Sequence, residues 1–169
     1  MGDYSKALEF YQKALKIYEI SRPPNHPELA GSYNNIGSVY NNMGDYSKAL
    51  EFYQKALKID EISQPSTHPD LATSYNNIGD VYNSMGDYSK ALEFHQKALK
   101  IRENALPPNH HDFAQSYNNI GMVYSGKGDY SKALSFLEKA LVIFQKSLAP
   151  NHLHIKMVTN SIDDVKKKM

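Results

Sequence analysis

The chain has 169 residues, and its 19 Lys and Arg against 18 Asp and Glu leave a net charge of +1. The two signs are interspersed, which removes the electrostatic footprint that nucleic acid or an anionic membrane surface would need. No apolar run approaches the ~18 residues of a membrane span and no hydrophobic leader opens the chain, so a cytoplasmic protein is expected, with no nucleic-acid or membrane partner; the lack of Cys removes disulfide frameworks and Cys-based metal sites and says little about compartment.

The heptapeptide GDYSKAL begins at Gly2, Gly44, Gly86 and Gly128, a fixed period of 42 residues. The 42 residues from Ser21 match the 42 from Ser63 at 32 positions without a gap. Self-similarity of this kind marks a solenoid, in which each unit buries its apolar face only against its neighbours. The same MGDYSK recurs at Met43 and Met85, so Met1 reads as an internal repeat residue and the chain as starting part-way through an array. Met1-Gly2 is not read as a lipidation signal, because Lys6 stands where Ser or Thr is required.

In chain order, residues 1–22 read as the second helix (B) of a truncated unit. Its segment from Asp3 to about Ile20 leaves Tyr4, Leu8, Tyr11 and Leu15 without a preceding helix A, an apolar patch that predicts homodimerisation through this helix or, failing that, fraying of it. Residues 23–64, 65–106 and 107–148 are complete units with their links. Within the first, Pro27 suits an initial helical turn and Gly44 a left-handed stop, which bounds helix A. At 100° per residue Leu29, Tyr33, Ile36, Tyr40 and Met43 share one side of it, and Gly31, Asn34, Asn35, Ser38, Asn41 and Asn42 the other. Asp45 is an N-cap for helix B, whose apolar stripe is Tyr46, Ala49, Leu50, Tyr53, Ala56 and Leu57, widened by Phe52 and Ile59. Pro65 and Pro69 end that helix. Residues 149–169 read as a capping helix from about Leu153, with Asp163 and Lys166 where earlier units have Gly121 and Tyr124.

Tyr33, Ile36, Gly37, Tyr40, Ala49, Tyr53 and Ala56 follow the spacing of the tetratricopeptide repeat (TPR) signature, and the chain resembles that family over its whole length. The usual period is 34; the longer unit with its NHPELA and THPDLA links is similar to the arrays of kinesin light chains and nephrocystin. Glu61 stands where the shorter unit has its terminal Pro, so helix B is expected to run on. The resemblance implies an all-α, right-handed superhelical solenoid of antiparallel helix pairs forming a single domain over 1–169, with the A helices lining a concave groove that captures peptides.

On that reading the groove presents Asn34, Asn35, Ser38 and Asn41, then Thr73, Asn76, Asn77, Asp80 and Asn83, then Gln115, Asn118, Asn119 and Met122. Asn offers both an acceptor and two donors, so a ladder of Asn can pair with both C=O and N–H of an extended peptide. The same Asn residues could equally bond from one A helix to the next. The face lacks the Lys and Arg of the TPRs that clamp a C-terminal carboxylate, which argues against a chaperone-tail receptor. His26, His68, His110 and His152 recur one repeat apart, too far to share a metal, and read as caps or packing residues. His110, His111 and Asp112, or His152 and His154, are the groups closest to a metal-ligand pattern, and no metal or cofactor is expected. No catalytic motif appears, and residues that recur unit by unit leave little singular chemistry, so the chain is read as a non-enzyme. The expected function is protein–protein interaction through extended or partly helical peptides, most specifically as a kinesin-light-chain-like cargo adaptor. The alternative is a structural spacer or self-assembling solenoid within a larger scaffold or signalling protein.

Overall fold

The structure, a computed structural model, describes residues 3–107 and 110–169; Met1, Gly2 and the middle of the third link lie outside the described residues. Eight helices and no strand occur among them: α1 (Tyr4–Ser21), α2 (Pro27–Asn42), α3 (Tyr46–Ser63), α4 (Pro69–Ser84), α5 (Tyr88–Ala105), α6 (His111–Lys127), α7 (Tyr130–Ser147) and α8 (Leu153–Lys166). α2, α4 and α6 are the A helices, and α1, α3, α5 and α7 the B helices.

Each boundary has a local cause. His26, His68, His110 and His152 are N-caps: the Nδ1 of each accepts the backbone N–H two residues on, at 3.2–3.3 Å. The recurring His is therefore a capping group, one of the two structural roles open to it. Helix A closes at Gly44, Gly86 and Gly128, whose φ of 78–83° places them in the left-handed region that Gly enters at no steric cost. Asp3, Asp45, Asp87 and Asp129 cap the B helices by accepting the N–H of Lys6, Lys48, Lys90 and Lys132.

Packing follows the repeat. Gly37 and Gly79 bring helix A within touching distance of Tyr53 and His95 on helix B, and Gly121 does the same for Leu137. Ile36, Ile78 and Ile120 are fully buried beside Ala49, Ala56, Ala91, Ala98, Ala133 and Ala140. Phe52 stacks between Tyr33 and Tyr40, with ring centroids 6.2 and 5.6 Å apart, and Phe94 and Phe136 repeat the arrangement. Two expectations are corrected here. Met43 and Met85 are about half exposed, because they fall at the helix end beyond the reach of helix B. In α1, Leu15 is buried against α2, and the uncovered apolar groups are Phe10, Ile17 and Ile20 together with Tyr4 and Tyr11.

The contacts also set the curvature. α2 touches α4, α4 touches α6 and α6 touches α8, whereas among the described residues no B helix touches another B helix. Helices that approach one another closely lie on the inside of a bend, so the A helices form the concave wall.

Candidate functional site

Ser38, Asp80 and Met122 occupy one register position along the inner wall and are all exposed, Met122 at 42 %. Asn34 and Asn118 are half-buried, and Asn35 is exposed. Asn77 Nδ2 donates to Asn34 Oδ1 and Asn119 Nδ2 to Asp80 Oδ1, both at 3.4 Å, while Asn34 Nδ2 donates to Ser74 Oγ at 3.4 Å. Gln115 Nε2 donates to Asn119 Oδ1 at 2.8 Å. Part of the Asn ladder thus holds the register between A helices. Thr73 is exposed and donates to its own helix at Pro69 O. Asn41 and Asn83 are half-buried, and Asn41 Oδ1 is a buried acceptor with no partner among the described residues.

Asn76 turns inward, 6 % exposed, into a polar chain that the sequence reading did not single out. With its amide oriented to satisfy both neighbours, Asn76 Nδ2 donates to His95 Nδ1 at 3.1 Å and Oδ1 accepts from Arg102 Nη1 and Nη2 at 3.0 and 2.9 Å. Arg102 Nη1 also donates to Ser116 Oγ at 2.6 Å and Asp112 O at 3.1 Å. The other ring nitrogen of His95, Nε2, lies 3.5 Å from Asp80 Oδ1. Burial, reinforced by the nearby Arg102, pushes His95 down to about 4, so the ring is neutral and Nε2 carries the proton toward Asp80. Desolvation between the helices pushes Asp80 up to about 6, opposed by Arg102; the 52 % exposure of its side chain tempers that effect.

The signal for this chain of groups was present in the sequence. Among the ten positions at which the 42 residues from Ser21 differ from the 42 from Ser63, three are Ser38 against Asp80, Tyr53 against His95 and Asp60 against Arg102, and the second-unit residues meet in space. In the first unit Tyr53 stands at the His95 position with Ser38 at the Asp80 position, and burial raises the Tyr53 pKa while Ser38 lowers it.

Two hollows open on the inner wall. Between α2 and α4 a hollow of about 220 Å³ is lined by Gly31, Asn34, Asp60, Asp70 and Thr73 among others. Between α6 and α8 a hollow of about 340 Å³ is lined by Asn118, Met122, Phe144, Met157 and Val158, with polar Gln115, His154 and Ser161. One further group gathers His110, His111 and Asp112, whose ligand atoms lie within 4.8 Å of one another. His110 Nδ1 already accepts the Asp112 N–H at 3.3 Å, and the trio sits on the surface at the start of α6.

A family model described as tetratricopeptide repeat matches residues 1–62, 28–104, 70–146 and 112–159. No curated protein sequence matches the chain. Among solved structures, BtubC (BKLC) from P. vanneervenii is similar over 99 % of this chain and 66 % of its own, at 26 % identity and a TM-score of 0.84. A putative kinesin light chain from Podospora anserina with nearly identical TPR-like repeats is 20 % identical over 99 % of this chain and 79 % of its own, with a TM-score of 0.79. The apo form of RapI is 24 % identical over 98 % and 58 %, with a TM-score of 0.82. The chain thus spans a little under two thirds of BtubC and less of RapI.

Proposed function

We propose that this chain, a member of the tetratricopeptide repeat family, is a non-catalytic module that binds extended or partly helical protein segments along the inner wall of its superhelix. The observation that carries the reading is the exposed file of Ser38, Asp80 and Met122, flanked by half-buried Asn34 and Asn118 and two open hollows. Exposed side chains beside partly apolar hollows, with the half-buried Asn118 amide free of hydrogen bonds to the described residues, supply contacts that an extended peptide can use for affinity and register. The finer form is a cargo adaptor of the kinesin-light-chain kind, working in the cytoplasm; similarity to BtubC (BKLC) and to the putative kinesin light chain motivates it. Panning a proteome-derived peptide display library on the purified array tests the reading. Enriched segments that bind the isolated array support it; no enrichment over an empty matrix overturns it.

A second reading rests on α1, where Phe10 is 69 % and Ile17 64 % exposed. Their counterparts Phe52 and Ile59 pack in the core beside α2, so this face fits another helix A or a second copy, as a spacer or self-assembling solenoid requires.

A further inference from the structure

The three seams between successive A-type helices share one architectural position, hollow in the first and third and filled in the second, and its occupant changes from unit to unit. Asp60, Arg102 and Phe144 stand 42 residues apart near the ends of α3, α5 and α7. In the second seam, between α4 and α6, Arg102 fills the space with its own guanidinium, bonded to Asn76, Ser116 Oγ and Asp112 O. The first hollow, between α2 and α4, keeps the equivalent surroundings in Asn34, Ser74 and Asp70, but a carboxylate stands where the guanidinium enters. The second unit shows that a shell of these residue types accommodates a planar cation; in the first unit Asn34 and Ser74 bond to each other, and no Lys or Arg among the described residues lines the hollow.

Asp60 is 3 % exposed. Ser74 Oγ donates to its Oδ2 at 2.6 Å, while Oδ1 receives no hydrogen bond among the described residues. Asp70 lines the same hollow, and the ionisable group beside it is His68, 3.6 Å from Asp70 Oδ2. Gly31 leaves the entrance open: a Cβ there would meet no atom within 4 Å, whereas Thr73 and Gln115 hold the same position in the next two units. The charge that the A helices themselves contribute is mainly acidic, with Arg22 paired to Glu28 and Arg102 entering from α5. α2 and α4 carry Glu28, Asp70 and Asp80 and no Lys or Arg, and α6 carries Asp112 with Lys127 only at its far end; the array's cations are concentrated on the B helices. Asp60 is largely desolvated and its Oδ1 opens onto the hollow without a hydrogen bond from the described residues, so an ion-paired, hydrogen-bonding guest offsets part of that desolvation.

Resting on the peptide-binding reading above, we infer that the inner wall recognises a basic peptide segment, seating an Arg or Lys side chain against Asp60 and Asp70 between α2 and α4 and an apolar side chain in the Phe144 hollow between α6 and α8. The two hollows are two repeats apart, roughly 20 Å at the usual spacing of packed helices. That distance corresponds to about six residues of extended chain. Asp80, midway along the wall, favours the same sign of ligand.

The test is panning of a random 12-residue display library on the array, followed by anisotropy titration of an enriched peptide and of its Arg→citrulline analogue. The expected result is a library enriched in Arg or Lys about five to seven positions from an apolar residue. Binding should weaken at least about tenfold with citrulline or with Asp60→Asn, because each removes one member of a desolvated charge pair. Asp60→Asn preserves the shape and the contact to Ser74, and an unchanged circular-dichroism melt verifies its fold. Peptides that lack a cationic residue yet lose binding on Met122→Arg would overturn this inference while leaving the peptide-groove reading intact. Peptides that bind equally well to Met122→Arg and Asp60→Asn would overturn both.

Discussion

The unit register stands or falls on the glycines of helix A, and two substitutions separate them. A Cβ on Gly121 would lie 2.8 Å from Leu137 Cγ and 3.3 Å from the Ala133 carbonyl oxygen. Carbon atoms pack best about 3.5–4.0 Å apart, so the contact is short by nearly an ångström. Leu137 has no room to retreat, being fully buried in a cluster with Ala133, Ala140, Phe144 and Val158. Overpacking of this kind costs about 1–3 kcal/mol, offset by close to 1 kcal/mol from the better helix propensity of Ala. A Cβ on Gly31 meets nothing within 4 Å, so Gly31→Ala keeps only the propensity gain. At about 2–4 °C per kcal/mol for a chain of this size, Gly31→Ala should raise the melting temperature by a few degrees and Gly121→Ala should lower it by up to several. Calorimetric melts of the two variants measure both. Gly121→Ala melting at or above Gly31→Ala would refute the close helix approach assigned at every unit.

His68→Ala removes the group that accepts the Asp70 N–H and should cost about 0.5–2 kcal/mol in urea titrations. Asp80 and His95 titrate in opposition: Asp80, raised from 3.8 to about 6, contributes stability that is present at low pH and lost as pH rises through 6. His95, lowered from 6.5 to about 4, contributes stability present above 6.5 and lost as pH falls through 4. Between pH 4 and 6 the native pair holds its proton on Asp80 and the unfolded pair on His95, so the two slopes largely cancel; Asp80→Ser, the residue of the first unit, should unmask a loss of stability from pH 6.5 to 4, and a flat profile in that variant would contradict the buried neutral ring. The exposed face of α1 should drive concentration-dependent association in sedimentation equilibrium, weakened by Phe10→Ser with Ile17→Ser; a monomer at every concentration would refute the self-assembly reading.

The fold was legible because its determinants repeat. His, Pro and Asp caps, the left-handed Gly and the Tyr-Phe-Tyr stack recur at one period, and each copy reinforces the assignment of the others. The exposed inner face of the A helices was legible from Ser38, Asp80 and Met122, but periodicity treats Asn34, Asn76 and Asn118 as equivalents. Asn76 alone is drawn inward, because the partners that hold it, His95 and Arg102, belong to its own unit only. Asp60 and Arg102 fall outside the apolar stripe of helix B, and their burial comes from the next helix A, a contact between units that helical periodicity within one segment does not contain. The exposure of Met43 and Met85 has the matching cause: the 3.6-residue spacing along helix A does not register where helix B stops covering it.

The most direct test of the account is to locate bound peptide on the array. The affinity of one enriched peptide should be titrated against Asn118→Ala combined with Met122→Ala on the inner wall and, separately, against Glu51→Ala combined with Lys58→Ala on the exposed side of α3. The inner-wall pair should weaken binding by about 1–3 kcal/mol, because polar and apolar groups of the ligand lose partners, and the α3 pair should leave it unchanged. Undiminished affinity in a folded inner-wall variant, or a loss confined to the α3 variant, would contradict the assignment of the groove as the binding surface.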